Sequence, residues 1–223
     1  GVQTCALPIF EVPPHDHHPL LARAANVELT DYNTLGFSGM CRMNWLVPPF
    51  DRVEIRQAVL HAVNQKDWLD TQIGNPDYYK VTPAFFVAGT PFESTIGWST
   101  RADTAKAKEL LKAAGVAEGT EITLWAMPVQ RPYNPNAKLM AELLQNDWAK
   151  IGIKARIVTY EWGEYIKRSK GGEHDAMLIG WSGDNGDPDN WLGTLYGCDA
   201  VDGNNFSKWC FEDYDKLIKQ AKA

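Results

Sequence analysis

Apolar residues recur at two periods along this chain, and the switching between them outlines a fold. Ile55, Ala58, Val59, Ala62 and Val63 fall three and four apart, the stripe of a helix that buries one face. Asp51 stands where the cap of that helix is expected. A second helical piece over 64–72 should end at Gly74. The period returns over 104–115, with Asp103 as cap and Gly115 as left-handed stop. A longer helix is expected after Asn134-Pro135, read as its cap, with Met140, Leu143, Leu144, Trp148 and Ile151 on its buried face. Residues 163–169 read as a short helix. Residues 187–196 read as another, with Asp187 at the N-cap and Pro188 at the first helical position. Between these segments, alternating or continuous apolar runs predict strands over 27–31, 36–46, 121–127, 153–160 and 176–181. Residues 75–100 are irregular and rich in proline, glycine and aromatics. Strand–helix–strand repetition with short links predicts an α/β fold, its mostly parallel or mixed sheet flanked by helices on both faces.

Composition narrows the function classes. With 44% hydrophobic residues and nine tryptophans among 223, the chain can build a sizeable core and is not a disordered segment. Its net charge is −6 and its lysines and arginines form no cluster, which argues against a nucleic-acid partner. No apolar run approaches the roughly 20 residues needed to span a bilayer. The first nine residues resemble a translated sequencing adapter more than protein; they are set aside as a non-native leader and carry no signal-peptide pattern. Cys5 falls in that leader, and Cys41, in an apolar strand, is expected to be a buried thiol. Cys198 and Cys210 flank a polar loop at a spacing that suits a local disulfide, with two free thiols as the alternative. A bridge there would contribute about 3 kcal/mol on the chain-entropy estimate and would place the protein outside the cytoplasm. His15, His17 and His18 lie in a proline-flanked polar stretch where nothing fixes a shared metal geometry, so no metal is expected.

The candidate chemistry collects at two strand ends that should share one sheet edge, the usual place for a ligand in an open α/β sheet. One end, 127–134 (MPVQRPYN), presents Arg131 and Tyr133. The other, 178–190 (LIGWSGDNGDPDN), presents Asp184, Asp187 and Asp189. Arginine matches a carboxylate in a planar fork and aspartate accepts from an ammonium, so Arg131 and Asp184 together suit a zwitterion such as an amino acid or short peptide. Pairing of Arg131 with Asp184, or exposure of both, stays open. Asp187 and Asp189 are explained by a helix start, where carboxylates complement the macrodipole; a calcium loop fits poorly because the spacing departs from the EF-hand pattern. Tyr133 and Trp162 sit at turns and can line a cleft. There is no nucleophile elbow, metal-spaced His/Cys set or phosphate-binding glycine loop, so no catalytic residue is assigned. Carboxylate pairs such as Glu161 with Glu164, or Asp184 with Asp187, would be needed for the alternative, a secreted hydrolase acting on peptides or glycans.

The stretches 125–136 (WAMPVQRPYNPN), 159–165 (TYEWGEY) and 180–190 (GWSGDNGDPDN) closely resemble the dipeptide-binding members of the family 5 extracellular solute-binding proteins of ABC transporters. The resemblance is dense from about 103 to 223 and looser over 11–100, where 48–59 (PPFDRVEIRQAV) looks like the family's strand-to-helix signature. It implies a type II periplasmic-binding-protein lobe. Residues 34–223 would be the second of two lobes, truncated at the C-terminus, and 10–33 a hinge-proximal segment. It further implies that Asp184 binds a peptide's α-ammonium and Arg131 its α-carboxylate, that Tyr133 and Trp162 line the pocket, and that Cys198 and Cys210 are bridged. The expected protein is a periplasmic monomer that hands dipeptides to an inner-membrane ABC permease and does no covalent chemistry. No cofactor is implied; some members bind haem, which the sequence neither supports nor excludes as a ligand.

Overall fold

A computed structural model describes residues 17–30, 37–81, 101–183 and 187–222. Its helices are α1 (His18–Leu21), α2 (Val53–His61), α3 (Gln65–Ile73), α4 (Thr104–Ala113), α5 (Ala137–Ala149), α6 (Trp162–Lys170), α7 (Asp189–Tyr196) and α8 (Glu212–Ala221). The strands are β1 (Phe37–Met43), β2 (Thr120–Trp125), β3 (Ile153–Val158) and β4 (Ala176–Ser182), in the sheet order β1-β4-β2-β3. β2 runs parallel to both β3 and β4, whereas β1 is antiparallel to β4. The sheet is therefore mixed and helix-flanked, as the sequence pattern anticipates.

Alternation along the strands divides the core in two. Ile122 and Leu124 of β2 and Ala176 and Leu178 of β4 join Ile55, Val59, Leu111, Leu144 and Trp148 from α2, α4 and α5 on one face. Trp125, Met177 and Ile179 point the other way, against Tyr165 of α6 and Phe206. Cys41 and Met43 pack against the first cluster, and burial pushes the Cys41 thiol up to about 12. The predicted helical stripe is buried in full: Ile55, Ala58, Val59, Ala62 and Val63 all lie in the core.

Several boundaries differ from expectation for local reasons. Residues 27–30 form no strand; Val27 and Leu29 stay exposed, with no sheet face among the described residues to cover them. Asp51 does not cap α2: its N–H closes the preceding turn on Val47 O, and the helix starts one residue further on, after Arg52. Asn134 likewise does not cap α5. Asn136 does so, its Oδ1 accepting from Leu139 N at 3.0 Å. Asp103 caps α4 as expected, accepting from Lys106 N at 2.9 Å, and Gly115 takes φ +65°. The α7 onset lies two residues later than the pattern indicates, yet the Asp187 carboxylate still accepts from Asp189 N at 2.8 Å. Cys198 and Cys210 are joined in a disulfide, Cα–Cα 4.8 Å. Among the described residues no group of His, Cys, Asp and Glu could hold a metal.

Candidate ligand cleft

Because β2, β3 and β4 are parallel, their carboxyl ends emerge at one edge, and the loops that follow them build a common wall. The first loop turns tightly. Arg131 and Asn134 exchange both backbone hydrogen bonds (3.1 and 2.9 Å), which places Pro132 and Tyr133 at the tip. Asn134 is buried beneath it, its amide 3.3 Å from Met140 Sδ. The turn then lies across β1, where a Cβ on Gly39 would stand 2.5 Å from Tyr133 O. Glycine is required at that crossing by close backbone approach.

The second loop follows β3. Glu161 caps α6 by accepting from Gly163 N (2.8 Å) and Glu164 N (3.3 Å), fixing the start of the helix that carries Trp162. Trp162 stacks on Tyr165 with ring centroids 5.7 Å apart. The Arg131 guanidinium lies 4.8 Å from the Trp162 ring centroid and donates from Nη1 to Gln130 O at 2.9 Å. It makes no ion pair with a described residue. Burial raises the Tyr133 phenol above its ordinary value, opposed by the Arg131 charge, a Gly180 backbone hydrogen bond and one to the Arg131 side chain.

Arg131, Tyr133 and Trp162 are thus brought together, as the sequence suggests. Tyr133 and Trp162 line a cleft of about 300 Å³ with Ile179, Trp181 and Phe206. Asp184 lies outside the described residues. Other wall residues escaped sequence reasoning, among them Arg42 of β1, Lys170 of α6, Leu195 of α7 and Phe206. Arg42 left a signal, a lone arginine inside the apolar run of a predicted strand.

The wall is chemically suited to binding: aromatic faces for apolar parts and guanidinium groups for anions. Among the described residues, nothing in it prepares a bond-breaking step. Glu161 is occupied as a cap, and Glu164 pairs at 3.5 Å with both Lys167 and Arg168 on the helix surface. Neither lines the cleft, which leaves the hydrolase alternative without support.

Comparison with known proteins bears on this wall directly. The sequence profile described as "Bacterial extracellular solute-binding proteins, family 5 Middle" matches residues 9–203. The chain is 67% identical over 193 residues to Di/tripeptide-binding protein 1 of Pseudomonas aeruginosa, covering 84% of this chain and 35% of that protein. It is 42% identical over 180 residues to Heme-binding protein A of Haemophilus influenzae, covering 78% of this chain and 31% of that protein. Among solved structures, the dipeptide binding protein from Pseudoalteromonas sp. SM9913 in complex with Met-Leu superposes with a TM-score of 0.77 at 33% identity, over 94% of this chain and 41% of the other. The chain spans about a third of the length of these relatives.

Proposed function

We propose, because this chain belongs to family 5 of the bacterial extracellular solute-binding proteins, that its cleft is one wall of a dipeptide-binding site. The whole protein would have two lobes, with residues 34–223 in the second and 10–33 near the hinge, and would deliver dipeptides to an inner-membrane ABC permease. The observation that carries the reading is the union of Arg131, Tyr133 and Trp162 at the carboxyl edge of the sheet, in a family of solute binders. Arg131 is the α-carboxylate receptor: its guanidinium is partly exposed, braced on Trp162, and committed to no carboxylate among the described residues. Asp184, two residues beyond β4 in the sequence, is the ammonium receptor. Tyr133 and Trp162 form the apolar flanks. The family is extracellular and the disulfide suits an oxidising compartment, which supports a periplasmic site of action. Binding free energy would favour the closed arrangement of lobes over the open one. Dipeptide is cargo, and no cofactor is proposed.

The reading is tested in the complete two-lobe protein by titrating free, N-acetylated and C-amidated forms of one dipeptide. Each blocked form should bind at least about tenfold more weakly, the scale of one lost charge-assisted hydrogen bond. An acetylated dipeptide that binds as well as the free one removes Asp184 from the site. An amidated one that does so removes Arg131.

A further inference from the structure

Arg42 is the next-to-last residue of β1, opposite Met177 of β4, and its side chain leaves the sheet on the cleft side. It is only 3% exposed. A buried guanidinium is costly unless its charge and its donors are met. Those of Arg42 are met poorly. Nη1 reaches Ser207 Oγ at 3.4 Å, a long contact, and the cation lies 4.6 Å from the Tyr196 ring centroid. Nε has no hydrogen-bond partner. Among the described residues Arg42 makes no ion pair, and no carboxylate lines the cleft that it borders. Lys170, on the rim of the same cleft, adds a second positive charge.

Structural arginines are typically buried with a carboxylate in a two-bond fork. An arginine held beside a cavity on one long hydroxyl contact and a ring face has its donors in reserve. We infer that Arg42 forms a carboxylate subsite in the floor of the cleft, which takes the acidic side chain of a bound dipeptide. The inference rests on the dipeptide reading above and goes beyond it, because the terminal groups are there assigned to Arg131 and Asp184. A side-chain carboxylate entering the floor would meet the unpaired Nε–H and the positive rim of Lys170, while Tyr133 and Trp162 flank the peptide. The site would then discriminate glutamate from glutamine at the same peptide position. A donor set built for an anion favours it over the isosteric amide, whose NH2 group meets donors with a donor.

The test is an NMR titration of the 223-residue chain with Ala-Glu and Ala-Gln, and with Glu-Ala and Gln-Ala, following backbone amides of Tyr133 and Trp162 and the Arg42 Nε–H resonance. At one of the two peptide positions, the glutamate form should bind about tenfold more tightly than its glutamine counterpart, and only it should move the Arg42 Nε–H signal strongly. Arg42→Gln should bring the two within about twofold, and Arg42→Lys should restore part of the preference. Equal binding of glutamate and glutamine peptides at both positions, or an Arg42 Nε–H signal that stays fixed while Tyr133 and Trp162 shift, overturns the subsite and leaves the dipeptide reading intact. Loss in Arg42→Gln of the difference between Ala-Gln and its C-terminal amide would assign Arg42 to the peptide terminus, and also overturns it. If no dipeptide moves Tyr133 or Trp162, the dipeptide reading itself fails, and the subsite with it. The wild-type comparison decides the matter even if the variants do not fold.

Discussion

His174 is fully buried, and its surroundings leave only one protonation state comfortable. Nε2 lies 2.8 Å from Phe206 O, and a carbonyl only accepts, so the proton sits on Nε2. Nδ1 has no partner, and the ring lies 5.7 Å from that of Trp125. Burial lowers the pKa to about 4, only partly offset by the Phe206 carbonyl, with the Lys208 charge pushing the same way as burial. The unfolded chain therefore binds a proton near pH 6.5 that the folded chain refuses until about pH 4. Between those values stability rises with pH, by up to about 1.4 kcal/mol per unit from this one group. Urea denaturation from pH 4 to 7 should show that slope, and His174→Gln, which keeps a donor for Phe206 O, should flatten it. Parallel curves for the two proteins would mean that other groups govern the acid limb. At this scale the sequence was readable as to which loop side chains meet, as Arg131, Tyr133 and Trp162 do. It was not readable for His174 or Arg42, whose character comes from neighbours more than 30 and 150 residues away, Phe206 and Ser207.

Among the elements, the junction between β2 and β4 is the one on which the cleft depends. Their ladder pairs only Leu124 with Ala176 and Trp125 with Met177. Side chains hold the strands together on either side of it. At the amino end of β4, the Asp175 carboxylate accepts from Thr123 N (2.6 Å) and Thr123 Oγ1 (2.8 Å). Toward the carboxyl end, the buried Tyr165 hydroxyl from α6 lies 3.0 Å from Trp125 O and 2.7 Å from Leu178 O, spanning carbonyls that the ladder has left behind. Tyr165→Phe keeps the ring stack with Trp162 but removes the one O–H proton shared between these two buried carbonyls, and should cost about 1–3 kcal/mol. A loss of unfolding free energy below about 0.3 kcal/mol in urea titration would show that water replaces the hydroxyl. This stitching explains why element types were legible and their edges less so. The apolar periods of α2, α4 and β4 survive folding because they face a core. Caps are decided by where the chain happens to turn: Asn134 is spent on closing the Arg131 loop, and Asn136 inherits the helix.

For the molecule as a whole, the proposed reading makes this cleft one wall of a two-lobe site. Its floor is β1 and β4, its sides are the Arg131 turn and α6, and the described residues place nothing opposite. Apolar groups remain uncovered elsewhere as well, Leu217 of α8 at 65% exposure and Phe211 just before it at 54%. With about a third of the relatives' length present, a dipeptide on this wall would keep much of its water. Charge-assisted hydrogen bonds strengthen when water is excluded, and a ligand surface left wet contributes little. A two-walled site that reaches micromolar affinity has about 8 kcal/mol of binding free energy, and millimolar affinity corresponds to about 4. Loss of one apolar wall and of the desolvation that it provides is of that order. Calorimetry on this chain alone should therefore find dipeptide dissociation constants near the millimolar range, steeply weakened by salt because the remaining attraction to Arg131 is exposed. A dissociation constant of about 1 μM or tighter would show that this lobe encloses its ligand unaided, and a two-lobe site would then be the wrong description of it.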